Sequence, residues 1–314
     1  MDSGSIEHPG QARERNFSYL VGATSKMSIV CVGLDSNYEK ISTFIKDEIW
    51  QQIKSRSLCA TVKRNDPRVI EESIFSFNKK IIDTTQDIVS AYKANIAFYA
   101  KYGEAGNSAL RRTIEYIKEY YPHVPVILDA KRGDIEHTND GYTGEVFDYY
   151  GADAVTVNPY LGGETLAPFL ERVNKGIIVL CRTSNEGAGE FQDLAVVPPG
   201  ETDLTKCIPL YLQVARNFHD TWNTRGNCAL VVGATYPEEL KIVRAAVGDM
   251  LILIPGVGRQ GGDLEKAIRY GLNSKGVGIL VSSSRGVILA EDPRAEVERL
   301  NKEINYYRKK YGQD

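Results

Sequence analysis

Short apolar runs rich in β-branched residues recur along the chain, each stopping at a polar or charged residue, and the stretches between them carry apolar residues three and four positions apart. The runs read as buried strands and the intervening stretches as amphipathic helices. The first strand covers residues 28–35 and ends at Asp35; helical character follows over 41–53 and 67–89, with the polar patch 54–66 as a loop insertion. The second strand, residues 91–99, is apolar apart from a lysine, Lys93. A lysine usually snorkels to a rim, but a strand this apolar leaves it few places except a polar core site. Asn107 or Ser108 caps the next helix, whose apolar positions are Leu110, Ile114, Ile117 and Tyr121, and Pro122 ends it.

The third strand, residues 126–130, follows Pro125, and a helix through Val146 and Tyr150 closes at Gly151. Strand four spans 154–159, and Leu166, Leu170 and Val173 mark the helix after it. Strand five, 176–181, runs into the polar turn Arg182-Thr183-Ser184-Asn185 and then a long segment containing Pro198-Pro199-Gly200. That segment is too long for an ordinary connection and reads as an active-site lid. A helix around 208–222 leads to strand six at 228–233; Thr235 and Glu238 then fit a capping box for a helix using Leu240, Val243 and Val247. Strand seven is 250–255, joined by the Gly-rich loop 256–263 to a helix ending at Gly271, and strand eight is 278–282. Asp292-Pro293 opens a last helix with Val297, Leu300 and Ile304 inward.

Eight such strands, all but the first followed by one main helical segment, predict an α/β fold of the (β/α)8 TIM-barrel type rather than an open doubly wound sheet. Asp35, Lys93, Asp129, Lys131, Asn158, Ser184, Gln260 and Arg285 all fall at, beyond or near the carboxyl end of a strand, the face on which barrels build their sites. Residues 17–314 read as one barrel domain and residues 1–16, polar with little to bury, as a disordered tail.

Composition narrows the chemistry. A net charge of −3 leaves no surplus of cations to hold a nucleic-acid backbone or an anionic membrane surface. No apolar run approaches the roughly 20 residues of a membrane helix, and no signal-peptide core opens the chain, so a cytoplasmic protein is expected. Cys31, Cys59, Cys181, Cys207 and Cys228 are scattered without a C-x-x-C pair, which argues against a disulfide framework or a zinc site. His8, His123, His137 and His219 show no metal-ligand spacing.

The stretch 126–135, Val-Ile-Leu-Asp-Ala-Lys-Arg-Gly-Asp-Ile, passes from a buried strand into alternating charge. Strand side chains repeat every second residue, so Asp129 and Lys131 emerge on one face and an acid and an amine meet. Partly shielded from water, such a cluster holds Lys131 charged as a proton donor and keeps the carboxylates ionised. Gly133 permits a tight turn from which Asp134 either joins the cluster or projects toward a second subunit. The loop 256–263 offers backbone amides at a helix amino end beside Gln260, and Arg285 follows strand eight; loops after strands seven and eight are the frequent phosphate seat of this fold. The turn at Ser184 supplies groups that either read the edge of a flat polar ring or cap the segment after it.

Asp129-x-Lys131-x-x-Asp134-Ile135-x-x-Thr138, with Asp35 and Lys93 before it and Pro255-Gly-Val-Gly-x-Gln260-Gly-Gly-Asp263 and Arg285 after it, resembles the orotidine 5'-monophosphate decarboxylase family. Lys93-x-Asn95 and Thr156-Val157-Asn158-Pro159-Tyr160 look like its longer-loop branch. The resemblance implies a lyase of pyrimidine synthesis that forms UMP and carbon dioxide without metal or cofactor. It implies a Lys93, Asp129, Lys131, Asp134 charge array in which Asp129 lies against the substrate carboxylate and Lys131 protonates the carbon that loses it. It further implies ribose contacts from Asp35 and Lys93, a pyrimidine contact from Ser184 and phosphate contacts from Gln260 and Arg285. Asp134, Ile135 and Thr138 would reach the neighbouring subunit's site in a homodimer. The rivals are magnesium-dependent sugar-phosphate enzymes sharing Asp-x-Lys-x-x-Asp, which carry a glutamate ligand where this chain has Lys93, and an inactive nucleotide-binding barrel.

Overall fold

The eight apolar runs hydrogen-bond side by side into a closed parallel barrel in the computed structural model, which describes residues 17, 22, 28–57, 62–257 and 262–312. Its strands are β1 (Val30–Gly33), β2 (Ala91–Asn95), β3 (Val126–Arg132), β4 (Ala154–Val157), β5 (Gly176–Arg182), β6 (Cys228–Val232), β7 (Leu251–Pro255) and β8 (Ile279–Ser283). Each pairs with its neighbour in sequence, and β8 returns to β1. The tail expected at residues 1–16 lies outside the described residues. Among the described residues no helix is long and apolar enough to cross a membrane.

Strand alternation divides the core in two. Side chains pointing into the barrel, among them Cys31, Ala91, Ile127, Ala154, Ile178, Ala229, Leu253 and Leu280, fill its interior, with Phe17 packed among them. Small and large residues mix in this layer, which lets a closed barrel fill without voids. The opposite faces, such as Val30, Val32, Tyr92, Val126, Leu128, Val155 and Val179, pack under the surrounding helices. The last helix, Pro293–Tyr311, forms as its sequence predicts: Asp292 accepts from the Ala295 amide at 3.1 Å, and Val297, Leu300 and Ile304 are buried.

Several expectations are corrected. The second strand stops at Asn95, because its side-chain oxygen accepts the Ala97 N–H at 3.1 Å and turns the chain into the short helix Ala97–Ala100. The following helix starts at Gly103, so Asn107 and Ser108 lie within it, and the Ser108 hydroxyl donates instead to Glu71 at 2.9 Å. The capping box at Thr235 does not form: the Thr235 hydroxyl faces the Ser184 carbonyl at 3.4 Å, and Pro237 begins the helix. Leu166 to Val173 yields a single helical turn, Ala167–Leu170. The long segment after β5 is built from short turns and a two-residue antiparallel ladder, Ala195–Val196 against Ile208–Pro209, so the helix after it begins at Leu210.

The departure that matters for chemistry lies in β3. Its register against β4 runs from Leu128 opposite Val155 to Arg132 opposite Val157, leaving three β3 residues opposite Thr156 alone. Asp129, Ala130 and Lys131 form this bulge, and Lys131 has a φ of 47°, the only positive φ on a described residue other than glycine. A left-handed lysine costs on the order of 1 kcal/mol, here accompanied by a hydrogen bond from its N–H to the Thr156 hydroxyl at 3.0 Å. Gly133 follows with φ of 152°, and a Cβ there would stand 2.6 Å from the Asn158 carbonyl oxygen. Gly133→Ala should therefore cost about 2 to 4 kcal/mol, read as a lower urea midpoint at unchanged slope; a midpoint equal to that of the parent contradicts this account of the turn.

Candidate active site

A cavity of about 1140 Å³ opens at the carboxyl ends of the strands. Its floor is the topmost inward layer of the barrel, and that layer is divided. Lys93, Asp129 and Thr156 on β2 to β4, with Asp35 just past β1, make one half polar, whereas Leu180, Val231 and Leu253 on β5 to β7 make the other apolar. A flat ring can lie on the apolar half while its charged substituent faces the polar half.

Asp129 is the centre of the polar half. Its Oδ2 accepts from the Lys93 ammonium at 3.1 Å and its Oδ1 from the Lys131 ammonium at 2.7 Å. The Thr156 hydroxyl donates to Oδ1 at 2.8 Å. Lys93 is 6% exposed, so the polar core site expected for it exists. Burial alone would favour the neutral carboxylic acid, but Lys93 and Lys131 outweigh it and hold Asp129 well below the ordinary aspartate range. Burial likewise opposes the Lys93 charge; Asp129 and then Asp35 overcome it and keep Lys93 above the usual lysine value. Beneath them burial pushes the Cys31 thiol up to about 12, so it stays neutral.

The remaining residues named from the sequence divide into those that meet here and those that do not. Asp35 lines the cavity, and its Oδ1 is buried without a hydrogen-bond partner among the described residues. Ser184 lines the wall with Thr183, whose N–H donates to Gln192 at 2.8 Å and whose hydroxyl accepts from the Gln192 amide at 2.9 Å. Arg285 lies exposed at the rim and makes no ion pair with a described residue; Gly256, Val257 and Gly262 line the same side. Gln260 lies outside the described residues.

Asp134, Ile135 and Thr138 do not line this cavity. Asp134 is fixed by Asn139, which accepts its N–H at 3.0 Å and donates to its carbonyl at 2.6 Å. Ile135 is 64% exposed and Thr138 is exposed, an outward-facing edge next to the site. Thr156 and Gln192 were not singled out as site residues. Thr156 could have been found, because β4 alternation turns it inward beside Asp129; Gln192 sits in irregular chain with no periodicity to orient it.

Fold and site together define a (β/α)8-barrel enzyme that handles a small anionic substrate with paired ammonium and carboxylate groups. Residues 28–300 match the orotidine 5'-phosphate decarboxylase / HUMPS family, and the chain belongs to that family. It is 44% identical over 291 residues to a Cellvibrio japonicus (strain Ueda107) protein named orotidine 5'-phosphate decarboxylase, covering 90% of this chain and 95% of that one. A Thermomicrobium roseum (strain ATCC 27502 / DSM 5159 / P-2) protein of the same name is 44% identical over 290 residues, covering 90% and 92%. The solved structure of Leishmania donovani OMP decarboxylase superposes with a TM-score of 0.76 at 34% identity, covering 93% of this chain and 99% of that one.

The ionised state of the cluster sets a pH signature. Asp129 has a depressed folded pKa, so its contribution is fully present above the ordinary aspartate value of about 4 and is lost as pH falls. Lys93 has a raised one, so its contribution is full below about 10 and is lost as pH rises further. Asp129→Asn leaves the buried Lys93 without its main counter-charge and should lower the unfolding free energy by about 3 kcal/mol. Urea titrations should find that difference at full size near pH 5 and shrinking below about pH 4, as the parent loses the Asp129 contribution. A difference that fails to shrink between about pH 4 and 2 rules out this assignment of charge.

Proposed function

We propose that this chain converts orotidine 5'-monophosphate to UMP and carbon dioxide in pyrimidine biosynthesis, as a cytoplasmic carbon–carbon lyase that needs neither metal nor cofactor. Residues 17–314 serve as one catalytic domain in a homodimer with shared active sites. The observation that carries the proposal is the Lys93, Asp129, Lys131 array, with Asp129 held at 3.1 and 2.7 Å from the two ammonium groups.

In this reading the pyrimidine lies on the apolar half of the floor with its edge at Ser184 and its carboxylate toward Asp129. Two like charges brought together disfavour the bound carboxylate. Cleavage of the bond from C6 to the carboxyl carbon leaves the electron pair on C6, and the departing carbon dioxide is neutral. Lys131 faces the developing carbanion. Opposite charges about 4 Å apart attract by roughly 4 kcal/mol at an effective dielectric near 20, and this attraction appears only as the negative charge forms at C6. Lys131 then donates its proton to C6 and regains one from solvent. Asp129 supports that role by holding the Lys131 ammonium in place at 2.7 Å.

Asp35 and Lys93 bind the ribose hydroxyls, and Gln260 with Arg285 binds the phosphate; the buried, unpartnered Oδ1 of Asp35 supports the first assignment. Binding energy gathered at the phosphate offsets the cost of holding the carboxylate beside Asp129. Asp134, Ile135 and Thr138 complete the partner subunit's site, a role supported by their outward placement beside the mouth. The sugar-phosphate members of the family are disfavoured because the buried Lys93 ammonium occupies the place where a magnesium ligand would be required.

Loss of orotidine 5'-monophosphate absorbance should proceed undiminished in EDTA; activity abolished by EDTA and restored by magnesium favours the sugar-phosphate reading. Lys131→Ala should lower turnover at least about a thousandfold while UMP affinity changes by less than about tenfold, and near-normal turnover refutes its role. Asp134→Asn and Lys131→Ala chains, each inactive alone, should regain activity when mixed under conditions that exchange subunits. Inactive mixed dimers argue against a shared site.

A further inference from the structure

Behind the Asp35 loop lies a group of polar side chains that the chemistry above leaves unused. Ser36, Asn78 and Tyr99 are 0% exposed and Thr113 is 1% exposed, where helices pack on the barrel. The Asn78 amide donates to the Tyr99 and Thr113 hydroxyls, each at 3.0 Å, and its oxygen accepts from the Ser36 hydroxyl at 2.5 Å. Tyr99 donates to the Leu34 carbonyl at 2.6 Å. The network therefore grips the chain on both sides of Asp35, at Leu34 and Ser36, and ties it to three separate helices. Polar groups buried in a helix–barrel interface cost free energy that apolar residues of the same size would avoid, and only full satisfaction makes them tolerable. Asp35 itself makes no hydrogen bond to a described residue through its buried Oδ1, so the backbone on either side helps set where that oxygen points.

We infer that Asn78 and Tyr99, with Ser36, are positioning residues that aim the Asp35 carboxylate at the ribose of the bound nucleotide. The inference rests on the assignment of Asp35 to the ribose. Neither residue lines the cavity; both act through the loop that carries Asp35. The neighbouring Leu34 N–H donates to the Lys93 carbonyl at 2.7 Å, so the same loop is registered against the strand carrying the charge array.

The test is UMP affinity measured by calorimetry on folded protein, for Tyr99→Phe, Ser36→Ala, Asp35→Ala and the two doubles combining Asp35→Ala with each. Tyr99→Phe should weaken binding roughly fivefold to tenfold, the size of one lost buried hydrogen bond. In the Asp35→Ala background the same change should have less than about a twofold effect, since its target is gone. Ser36→Ala should behave alike and carries the test if Tyr99→Phe does not fold. Equal effects in both backgrounds, or no effect of either variant on UMP, overturn the inference and leave the network a purely structural element. Asp35→Ala binding UMP as tightly as the parent removes the ribose assignment itself, a separate result that takes the inference with it.

Discussion

A carboxylate held between two ammonium groups is the interaction on which the rest of the molecule turns. Asp129 and Lys93 are almost buried, and burial disfavours each charge on its own. They persist because each neutralises the other and Thr156 donates to a carboxylate oxygen that Lys131 also reaches. Such a triad cannot tolerate loose geometry. A closed barrel supplies rigidity because every strand is hydrogen-bonded on both sides, and the bulge in β3 adds what regular pairing lacks, a backbone turned so that Lys131 returns toward Asp129. The left-handed lysine and the glycine after it are the conformational cost of that placement.

The divided floor gives the array a direction. Charge on the floor is confined to β2 and β3, and aliphatic side chains cover β5 to β7, so a planar ring with one anionic substituent can lie on the apolar half with that substituent toward the charge. Across the mouth, Arg285 stands exposed without an internal acceptor among the described residues. The segment after β5 is fastened over the same rim by the bond from buried Arg182 to Asp193 at 2.9 Å and by Gln192 on Thr183. Loops are thus tied at the points where they meet the substrate cavity.

Much of this was legible in the chain. The eight apolar runs, the terminal residues that line the mouth, and the last helix with Asp292 and Pro293 at its start follow from periodicity and local capping rules. The motif around Asp129 and Lys131 gave both the family and the centre of the site. What escaped was set by individual side-chain hydrogen bonds that hydrophobic periodicity does not register. Ile96 to Tyr99 carries strand-like residues, but Asn95 captures the Ala97 amide and converts them to a helical turn. Thr235 has the right partner for a capping box, yet its hydroxyl faces a carbonyl from the β5 loop. Alternation placed Asp129 and Lys131 together, although the structure does so through a bulge that no local pattern announces. The backbone at Asp134 is held by Asn139, whose buried amide could not be distinguished from an exposed helical asparagine.

The most direct examination of the central triad is a ¹³C NMR titration of the aspartate carboxyl carbons, with the Asp129 signal assigned by its loss in Asp129→Asn. A carboxylate pinned between Lys93 and Lys131 should show no protonation shift as pH is lowered to about 4, the value at which an ordinary aspartate is half protonated. A midpoint at or above that value would mean that the two ammonium groups do not hold the charge, and the account built on them would be wrong.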